Sequence, residues 1–388
     1  MTALGVLFLL VWIVLVARGL PGLLRMTQMK ASERNDGANG DSASLQPLPS
    51  VSIIVTACNE EQSIEKGLRS LLTIDYPQLE IIAINDRSID RTGEIMHRVA
   101  SSFPQLRIME IKELPAGWLG KNHALQQGAN EAKGEWLLFT DADVIFHPQA
   151  LKIAMRHALN EHLDHLALAP FMKAKGALLN SLVYLFMYNL MIFFRPQYAK
   201  SPHSKAHMGV GAFNLIRADV YHALGGHEPI RMRPDDDLKL GRMIKEHGYR
   251  QDFAYAEELL EVEWYPGLRD MIQGLEKNTM APFEYRVPLL LVGLIPLGLF
   301  YLLPFAGLIL AEGWGKVVYA VMLFISLAYF CLHGQFSWKM VGYYFLFPIT
   351  VPILLYALAR AALLTWKRGG IVWRGTLYPL EWLKQKTE

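Results

Sequence analysis

The chain has 388 residues, of which 52% are hydrophobic and 19% charged, and its net charge is +2 with histidine neutral. Soluble domains usually have about 25% charged residues, so this composition excludes a disordered chain and indicates a membrane protein with a substantial soluble part. The small net charge gives no bulk attraction for nucleic acid. Two cysteines, Cys58 and Cys331, exclude a disulfide scaffold.

The N-terminal segment is apolar. Thr2–Ala17 contains no charged residue and is followed by Arg18, and continuing to Leu24 gives the roughly 20 residues that a spanning helix needs. Basic residues follow this segment and none precedes it, which argues against a cleaved signal peptide and places the following chain in the cytoplasm. We expect an uncleaved transmembrane anchor at residues 1–24, then a basic and polar linker at residues 25–50.

Residues 51–286 have normally spaced charges and are expected to fold as one soluble domain. Asn59 and Gln62 have the spacing of a capping box for the first helix, and Asp90 is expected to cap the second. The alternation of strands and helices predicts an α/β domain with a mostly parallel sheet, in which ligands bind at the carboxyl ends of the strands. The predicted strands are Val51–Thr56, Glu80–Ile84, Leu106–Ile111 and Glu135–Thr140. A later apolar run, Leu178–Phe194, fits either a helix in the membrane interface or a buried core helix.

Three apolar segments follow the soluble domain, and we predict about three transmembrane or re-entrant helices at residues 287–365. The tail at residues 366–388 is basic and therefore expected in the cytoplasm. One N-terminal and three C-terminal crossings would instead leave the tail outside. Either one segment re-enters, for which Pro348 and Pro352 in the last segment and Pro296 and Pro304 in the first are suitable breaks, or the charge of the tail is misleading. The three segments are Val287–Ala311, Val317–His333 and Val341–Thr365.

The strongest local pattern is Asp141-Ala142-Asp143, directly after a predicted strand. Two carboxylates separated by one residue at a strand end can hold a hard divalent cation beside a diphosphate. The alternative is an ordinary turn that ends the strand. Asp86 lies at the end of another predicted strand, where a ligand is expected, although the residues after it also serve as a helix entry.

A second acidic group, Asp235-Asp236-Asp237, opens a predicted helix. Carboxylates at a helix N-terminus are stabilised by the macrodipole, so a structural role is one interpretation. A carboxylate there is also well placed as a general base. Lys121 opens another helix and fits either a phosphate contact or an exposed lysine. Four histidines are more typical of surface or structural positions than of metal ligands: His147, His203, His207 and His227.

Taken in order, these motifs over about Val51–Asn278 resemble the family 2 inverting glycosyltransferases of the GT-A fold. The segment Val51–Glu60 resembles the first strand and nucleotide-binding turn of that family. Asp141-Ala142-Asp143 matches the metal-binding D-x-D, and Asp236-Asp237 matches the E-D or D-D motif. The resemblance implies donor-binding roles for Ala57, Asn59, Glu60, Asp86, Lys121 and Asp141, metal ligation by Asp141 and Asp143, and catalytic roles for Asp236 and Asp237, with Asp237 as the base.

The resemblance also implies a nucleotide-sugar donor, a UDP-sugar, with Mg²⁺ or Mn²⁺ as cofactor, and transfer of a single hexose with inversion. The apolar ends look closest to bacterial enzymes that glycosylate carotenoid or hopanoid-like lipids and to relatives of ceramide glucosyltransferase. A lipid acceptor and a multi-pass protein of the inner (plasma) membrane, with its catalytic domain in the cytoplasm, are therefore expected.

Two other functions remain open. Processive polysaccharide synthases carry a Q/R-x-x-R-W motif beyond the base, whereas the corresponding segment Gln273–Asn278 has no Arg-Trp pair, which favours single transfer. A non-catalytic scaffold or transport component that retains the fold is the other alternative. It is disfavoured because all the acidic motifs are present and because the apolar segments have almost no ionisable residue apart from Arg360.

Overall fold

The structure is a computed structural model that describes residues 2–31, 47–334, 337–373 and 376–384. Residues 32–46 of the predicted linker, and Arg374, Gly375 and 385–388 of the predicted tail, lie outside the described residues. The chain divides into two compact units. The sheet unit comprises Met26–Met172 and Tyr198–Glu263, and the helical unit comprises Met1–Arg25, Lys173–Gln197 and Trp264–Gln385.

The elements are numbered in chain order. The helices are α1 (Thr2–Leu24), α2 (Ile64–Leu72), α3 (Thr92–Ala100), α4 (Gly120–Glu131), α5 (Ala150–Asn160), α6 (Ala177–Phe194), α7 (Ala218–Ala223), α8 (Asp236–Glu246), α9 (Leu268–Thr279), α10 (Val287–Leu310), α11 (Trp314–His333), α12 (Trp338–Phe345), α13 (Phe347–Arg368) and α14 (Leu380–Lys384). The strands are β1 (Val51–Ala57), β2 (Leu79–Asp86), β3 (Leu106–Ile111), β4 (Trp136–Asp141), β5 (Ile145–Phe146), β6 (His165–Ala169), β7 (Phe171–Met172), β8 (Asn214–Arg217), β9 (Gln251–Tyr255), β10 (Leu260–Val262), β11 (Gly370–Trp373) and β12 (Thr376–Pro379).

The sheet unit is built on a seven-stranded sheet in the order β3-β2-β1-β4-β8-β6-β9. The pairs of β1 with β2 and β4, of β2 with β3 and of β6 with β9 are parallel, whereas β8 is antiparallel to both of its neighbours. The predicted α/β fold class with a mostly parallel sheet is confirmed. Every residue of β1 is buried, with Ile53 in one apolar cluster and Ile54 in another, as expected for a strand covered on both faces.

The predicted capping box at Asn59 is wrong. Helix α2 begins at Ile64, and Ser63 at its cap position makes no side-chain cap bond. Asn59 instead has a φ of 56° and lies in the loop after β1, where its side-chain oxygen accepts a hydrogen bond from the Ile89 amide at 2.9 Å. The cap residue of α3 is Arg91 and not Asp90, although the Asp90 carboxylate accepts from the backbone amide of Thr92, the first residue of α3, at 3.0 Å.

Five helices are long and apolar enough to cross a membrane: α1, α6, α10, α11 and α13. The predicted N-terminal anchor and the C-terminal apolar helices are among them. The segment predicted at Val341–Thr365 is two helices, α12 and α13, which meet at Leu346. Pro348 lies in the first turn of α13, where its missing N–H is tolerated and it cannot continue a preceding helix.

Contacts within the helical unit give the directions of these helices. Gly5 and Gly19 of α1 lie against Tyr319 and Tyr329 of α11, so the two helices run parallel. Gly307, near the end of α10, lies against Tyr319, near the start of α11, so these two run antiparallel. Helices α1 and α11 therefore end at the end of the unit where α10 begins.

The last long helix ends there as well. Arg360 and Arg368 of α13 pair with Glu276 of α9, eleven residues before α10 begins, at nitrogen–oxygen distances of 3.3 and 2.5 Å. The chain has already returned to this end with α11, so α12 and α13 together leave from it and come back. Helix α13 is itself long and apolar enough to span, so the choice between the two alternatives from the sequence stays a prediction.

Helix α6 lies in the chain between two paired strands of the sheet. It follows β6 and precedes β8, and these strands pair directly through Leu166 and Leu215. Its length and composition would allow it to span a membrane.

Candidate active site

Three strand ends meet at one edge of the central sheet. In the register of β1 with its neighbours, Thr56 lies opposite Asp141 of β4, and Ala57 lies opposite Asn85 of β2. Because these strands are parallel, the loops that follow them leave from the same edge. The motifs that the sequence placed at strand ends are thereby brought together.

The loops after β1 and β2 hold each other in place. The Asn59 amide donates to Ser88 Oγ at 3.1 Å, and the Glu60 amide donates to Thr92 Oγ1 at 2.7 Å. Asn59 is thus fixed at both its backbone and its side chain, and Ala57 is fully buried at the end of β1. These residues form one wall of the predicted donor site. The Asn59 carboxamide oxygen is already bonded to the Ile89 amide in the loop after β2.

Asp86 is held by its neighbour Arg87. The guanidinium donates to both carboxylate oxygens of Asp86, at 2.7 and 3.0 Å, and the Asp86 side chain is 5% exposed. The backbone of Gly120 comes so close that a Cβ atom there would lie 2.5 Å from Asp86 Oδ2 and 2.2 Å from Arg87 Nη2. Sequence reasoning did not assign a role to Arg87, although its position directly beside a buried aspartate was the available signal.

Lys121 connects the two acidic motifs. Its ammonium lies 3.0 Å from Asp141 Oδ1 and 3.6 Å from Asp236 Oδ2, and its side chain is 19% exposed. Burial by itself would lower the pKa of Lys121, but the carboxylates of Asp141, Asp236 and Asp237 outweigh burial and raise this pKa above its ordinary value. The ammonium therefore stays charged, and the interpretation of Lys121 as an exposed lysine is wrong.

Gly211 links the end of β4 to the start of α8. Its amide donates to Asp237 Oδ2 at 2.8 Å, while its carbonyl accepts from the Asp141 amide at 3.0 Å. A Cβ at Gly211 would lie 2.7 Å from Asp141 Oδ2, and one at Gly209 would lie 1.9 Å from the Asp237 carbonyl oxygen. The two glycines allow the backbone to pass between the acidic motifs. The sequence did not indicate this role of Gly209 and Gly211.

The carboxyl groups of this site are hard to ionise. Burial, opposed by Lys121 and assisted by Asp237, raises the pKa of Asp236 to about 7. Burial also raises the pKa of Asp237, whose second oxygen accepts from the Leu238 amide at 2.8 Å. Burial and the negative charges of Asp141 and Glu60 raise the pKa of Asp143 to about 7. Perturbed carboxyl groups gathered at one sheet edge are typical of a functional site.

Asn122 anchors the loop that leads into the second acidic motif. Its side-chain nitrogen donates to the carbonyl oxygens of Ile230, Arg231 and Arg233 at 2.9, 3.3 and 2.9 Å, and Asn122 is completely buried. The Arg233 guanidinium in turn binds both oxygens of Asp235. Asp235 is therefore held within the loop, while Asp236 and Asp237 reach Lys121 and Gly211.

Asp141 and Asp143 are the candidate ligands for a divalent cation at this site. Within the described ranges, no group of three or more His, Cys, Asp or Glu residues forms a ready-made metal cluster. Mg²⁺ usually binds through one or two carboxylates together with water and substrate phosphates, so a two-carboxylate site is sufficient. Asp141 and Asp143, with Glu60 adding negative charge, have the oxygen chemistry and the excess charge that such an ion requires.

The four histidines noted in the sequence form no metal-binding group of three or more side chains within the described ranges. His227 is buried and bonds to the Tyr221 hydroxyl through Nδ1 at 2.7 Å, and burial lowers its pKa to about 3. His147 Nδ1 accepts from the Gln149 amide, and His203 is exposed. His227 has a structural role, as the sequence favoured.

A family model described as Glycosyl transferase family 2 matches residues 52–225, which contain the strand ends, Lys121 and the Asp141-Ala142-Asp143 motif. The segment 52–225 of this chain is therefore similar to glycosyltransferase family 2. It is similar to a β-monoglucosyldiacylglycerol synthase of Synechocystis sp., with 33% identity over 34% of this chain and 28% of that protein. It is also similar to a 4,4'-diaponeurosporenoate glycosyltransferase of Staphylococcus aureus, with 24% identity over 85% of this chain and 88% of that protein.

The chain spans about a quarter of the length of the first curated relatives that it matches. Among solved structures it is similar to a mannosyltransferase of Pyrobaculum calidifontis in complex with GDP-Man and Mn²⁺. That likeness has a TM-score of 0.48 and 19% identity, and it covers 92% of this chain and 98% of the other.

Proposed function

We propose that this protein transfers one hexose from a UDP-sugar to a hydroxyl group of a lipid, with inversion at the anomeric carbon. The observation that carries the proposal is the Gly211 bridge, which ties Asp237 to the end of β4 that bears Asp141. A base and a diphosphate-binding group have to lie on the two sides of one reacting carbon, and this bridge fixes their separation.

The reaction is a single displacement. The lipid oxygen attacks the anomeric carbon, the new carbon–oxygen bond forms, and the bond from that carbon to the diphosphate oxygen breaks. The proton of the lipid hydroxyl passes to Asp237, and the nucleoside diphosphate leaves as an anion. Asp237 suits this role because it is less buried than Asp236 and because burial raises its pKa, which makes its carboxylate a stronger base.

Several residues of the chain are assigned to the donor. In this proposal the nucleoside lies against Ala57, Asn59, Glu60 and Asp86. The Arg87 guanidinium orients the Asp86 carboxylate. Lys121 contacts the diphosphate and offsets its growing charge as the bond breaks, while Asp236 holds the Lys121 ammonium.

Asp141 and Asp143 are the residues that would hold Mg²⁺ or Mn²⁺. When bound, the ion supplies Lewis-acid stabilisation of the leaving diphosphate. The proposal rests on the excess of carboxylates over cations at this sheet edge, which includes Asp143 with its raised pKa.

The lipid acceptor and the membrane location are supported by the helical unit and by the relatives. Arg18 lies in the second half of α1 and Arg25 comes directly after this helix. Lys367 and Arg368 lie in the last turn of α13. Basic residues are therefore concentrated at the end of the unit where α10 begins. By the positive-inside rule this end faces the cytoplasm of a bacterial inner membrane. Two similar proteins are named for glycosylating a diacylglycerol lipid and a carotenoid acid, which are both apolar acceptors.

The experiment uses the full chain in isolated membranes with labelled UDP-sugars, with and without EDTA, beside Asp237→Asn. Loss of about 10²- to 10⁴-fold in transfer is expected for the variant, because a positioned base contributes that much. Wild-type transfer by Asp237→Asn would refute the base assignment, and EDTA-resistant transfer would refute the metal. Asp235→Asn is the matched control, since Asp235 is held by Arg233.

Product length separates this proposal from its main alternative. Mass spectrometry of the lipid product is expected to show one added hexose. A ladder of longer products would mean that the protein is a processive synthase. No transfer with any nucleotide-sugar, in membranes that retain folded protein, would favour the scaffold or transport alternative.

A further inference from the structure

Three buried polar side chains of the sheet unit form a continuous chain of hydrogen bonds. They are His165 at the start of β6, Asn214 at the start of β8 and Gln251 at the start of β9, and each is at most 3% exposed. Gln251 Nε2 donates to His165 Nδ1 at 2.9 Å, and His165 Nε2 donates to Asn214 Oδ1. Polar groups at this depth are costly unless they are paired, so this chain of bonds holds its members in defined positions.

The donors and acceptors along the chain of bonds allow one arrangement of protons. The Gln251 carboxamide nitrogen can only donate and the Asn214 carboxamide oxygen can only accept, so His165 carries its proton on Nε2. Burial lowers the pKa of His165 to about 4, which keeps the imidazole neutral at pH 7. The neutral ring therefore determines which end of the Gln251 carboxamide faces it.

The same carboxamide joins two backbone segments. Its oxygen accepts from the Met208 amide at 2.9 Å, and its nitrogen donates to the Gly241 carbonyl of α8 at 2.9 Å. Met208 and Gly241 lie directly against each other, since a Cβ at Gly241 would lie 2.4 Å from the Met208 carbonyl oxygen. Gln251 thus holds the backbone at Met208 against helix α8.

The segment 208–214 is held at both of its ends by this chain of bonds. Gln251 binds the Met208 amide at one end, and His165 binds the Asn214 side chain at the other. We call Gln251 and His165 the buried brace. Because both ends of the segment are fixed from within the sheet unit, the backbone between them has little freedom to shift.

The segment held by the brace carries the bridge to the proposed base. The Gly211 amide donates to Asp237 Oδ2 at 2.8 Å. Asp237 and Gly241 are separated by about one turn of α8, so the bond from Gln251 to Gly241 holds the helix close to the base. The brace therefore fixes both partners of the hydrogen bond between Gly211 and Asp237.

We propose that Gln251 is a positioning residue for the base, because it sets the place of the Asp237 carboxylate through Met208 and Gly241. This inference rests on the proposed function for the role of Asp237. Gln251 is 1% exposed and acts through the backbone, so it is not itself a catalytic residue. A displacement of about 1 Å at a reacting group can cost 10²-fold in rate, which gives such a brace a large effect on catalysis.

The test compares Gln251→Met with Gln251→Glu in the full chain. The protein is placed in nanodiscs of total bacterial lipid extract with the labelled UDP-sugar that the wild type uses, well below the melting temperature of each variant. Methionine has a similar length but forms none of the three bonds, so kcat should fall about 10- to 100-fold, with the KM for the donor within about twofold of the wild type. Glutamate keeps an oxygen that accepts from the Met208 amide, and it should recover part of the lost kcat.

Hydrogen exchange gives a second measurement that does not depend on sugar transfer. A peptide that contains Gly211 should exchange its amide hydrogens faster in Gln251→Met than in the wild type, because the segment 208–214 is released at one end. A wild-type kcat in Gln251→Met would overturn the proposal. Faster exchange with an unchanged kcat would also overturn it, since the segment would then move without affecting the base.

His157→Leu is the matched control. His157 Nε2 lies 2.9 Å from Asp252 Oδ2, and the two side chains are 17% and 8% exposed. Asp252 follows Gln251 in β9, so this variant loses a largely buried pair of the same strand but leaves the bonds of Gln251 in place. Its melting temperature should fall, while kcat and Gly211 exchange should equal those of the wild type. An equal loss of kcat in His157→Leu and Gln251→Met would mean that Gln251 only stabilises the fold.

The two measurements separate this inference from the proposed function. A wild-type protein that transfers no sugar from any UDP-sugar would refute the proposed function, and Gly211 exchange would still decide whether Gln251 holds the segment 208–214. Normal transfer by the wild type, with neither kcat nor exchange changed in Gln251→Met, would refute this inference alone.

Discussion

The sheet unit and the helical unit both contain clusters of charged side chains. Carboxylates are in excess in the cluster of the sheet unit, and arginines are in excess in that of the helical unit. At the sheet edge, Lys121 pairs with carboxylates of both acidic motifs. In the helical unit, two arginines, Arg360 and Arg368, share Glu276. Excess carboxylate in a buried site raises carboxyl pKa values and favours a cation. Excess arginine has no such effect, because guanidinium groups stay charged at any ordinary pH. Only the sheet unit should therefore respond to pH and to metal ions.

The largest expected effect comes from removing Lys121. In Lys121→Met the carboxylates of Asp141, Asp236 and Asp237 lose their shared cation, and transfer should fall by about 10²-fold or more. Unfolding free energy should fall by roughly 3 kcal/mol at pH 8, since an unpaired buried charge remains. The loss should be smaller at pH 5, where Asp236 is protonated. Equal thermal stability of wild type and variant at both pH values would contradict this account.

Backbone spacing at the sheet edge is the next test. In Gly209→Ala the new Cβ would lie 1.9 Å from the Asp237 carbonyl oxygen, so the start of α8 has to move. A displacement of about 1 Å can cost 10²-fold in rate, and transfer is expected to fall by about that factor with little change in donor binding. Gly248→Ala serves for comparison, because a Cβ there meets nothing within 4 Å, although its φ of +80° makes it mildly strained. Equal kcat for the two variants would argue against a positioning effect.

The response to pH and metal sharpens the comparison. The raised pKa values of Asp236 and Asp143, about 7 against an ordinary 3.8, mean that the folded state binds protons more tightly than the unfolded state. Their contribution is therefore present below about pH 4 and is lost as the pH rises toward 7. Mg²⁺ or Mn²⁺ should raise the melting temperature at pH 8 and have almost no effect at pH 5. In Asp143→Asn the metal-induced shift should disappear, and an unchanged shift would refute this site.

The smallest effect is expected in the helical unit. Glu276→Gln leaves Arg360 and Arg368 without their carboxylate, but both arginines are partly exposed, at 28% and 39%. We expect a loss of about 1 kcal/mol in unfolding free energy, because solvent screens such groups. The loss should be the same at pH 6 and pH 8 and should leave the metal-induced shift intact. If the loss of unfolding free energy in Glu276→Gln depended strongly on pH, the helical unit would respond to pH as the sheet unit does, which would contradict the comparison.

Much of the sheet unit was predictable because its signals are local. A run such as Val51–Thr56 is mostly β-branched, which favours a buried strand. The positions of Asp86 and Asp141 followed from the ends of two such runs. The capping box failed for a nonlocal reason. Asn59 has the right spacing for a cap, but its side chain is used by Ile89 in the next loop, which lies beside it only in the fold.

The sequence by itself determined the strands, the acidic residues at the ends of those strands, and the apolar segments. Each of these features depends on a few neighbouring side chains. Only the tertiary structure decided that Lys121 stands between Asp141 and Asp236, because these residues come from three different elements. It also decided that the end of α13 lies at Glu276, about 90 residues away along the chain. Charge pairing depends on distances in space, and a linear pattern of residues does not contain those distances.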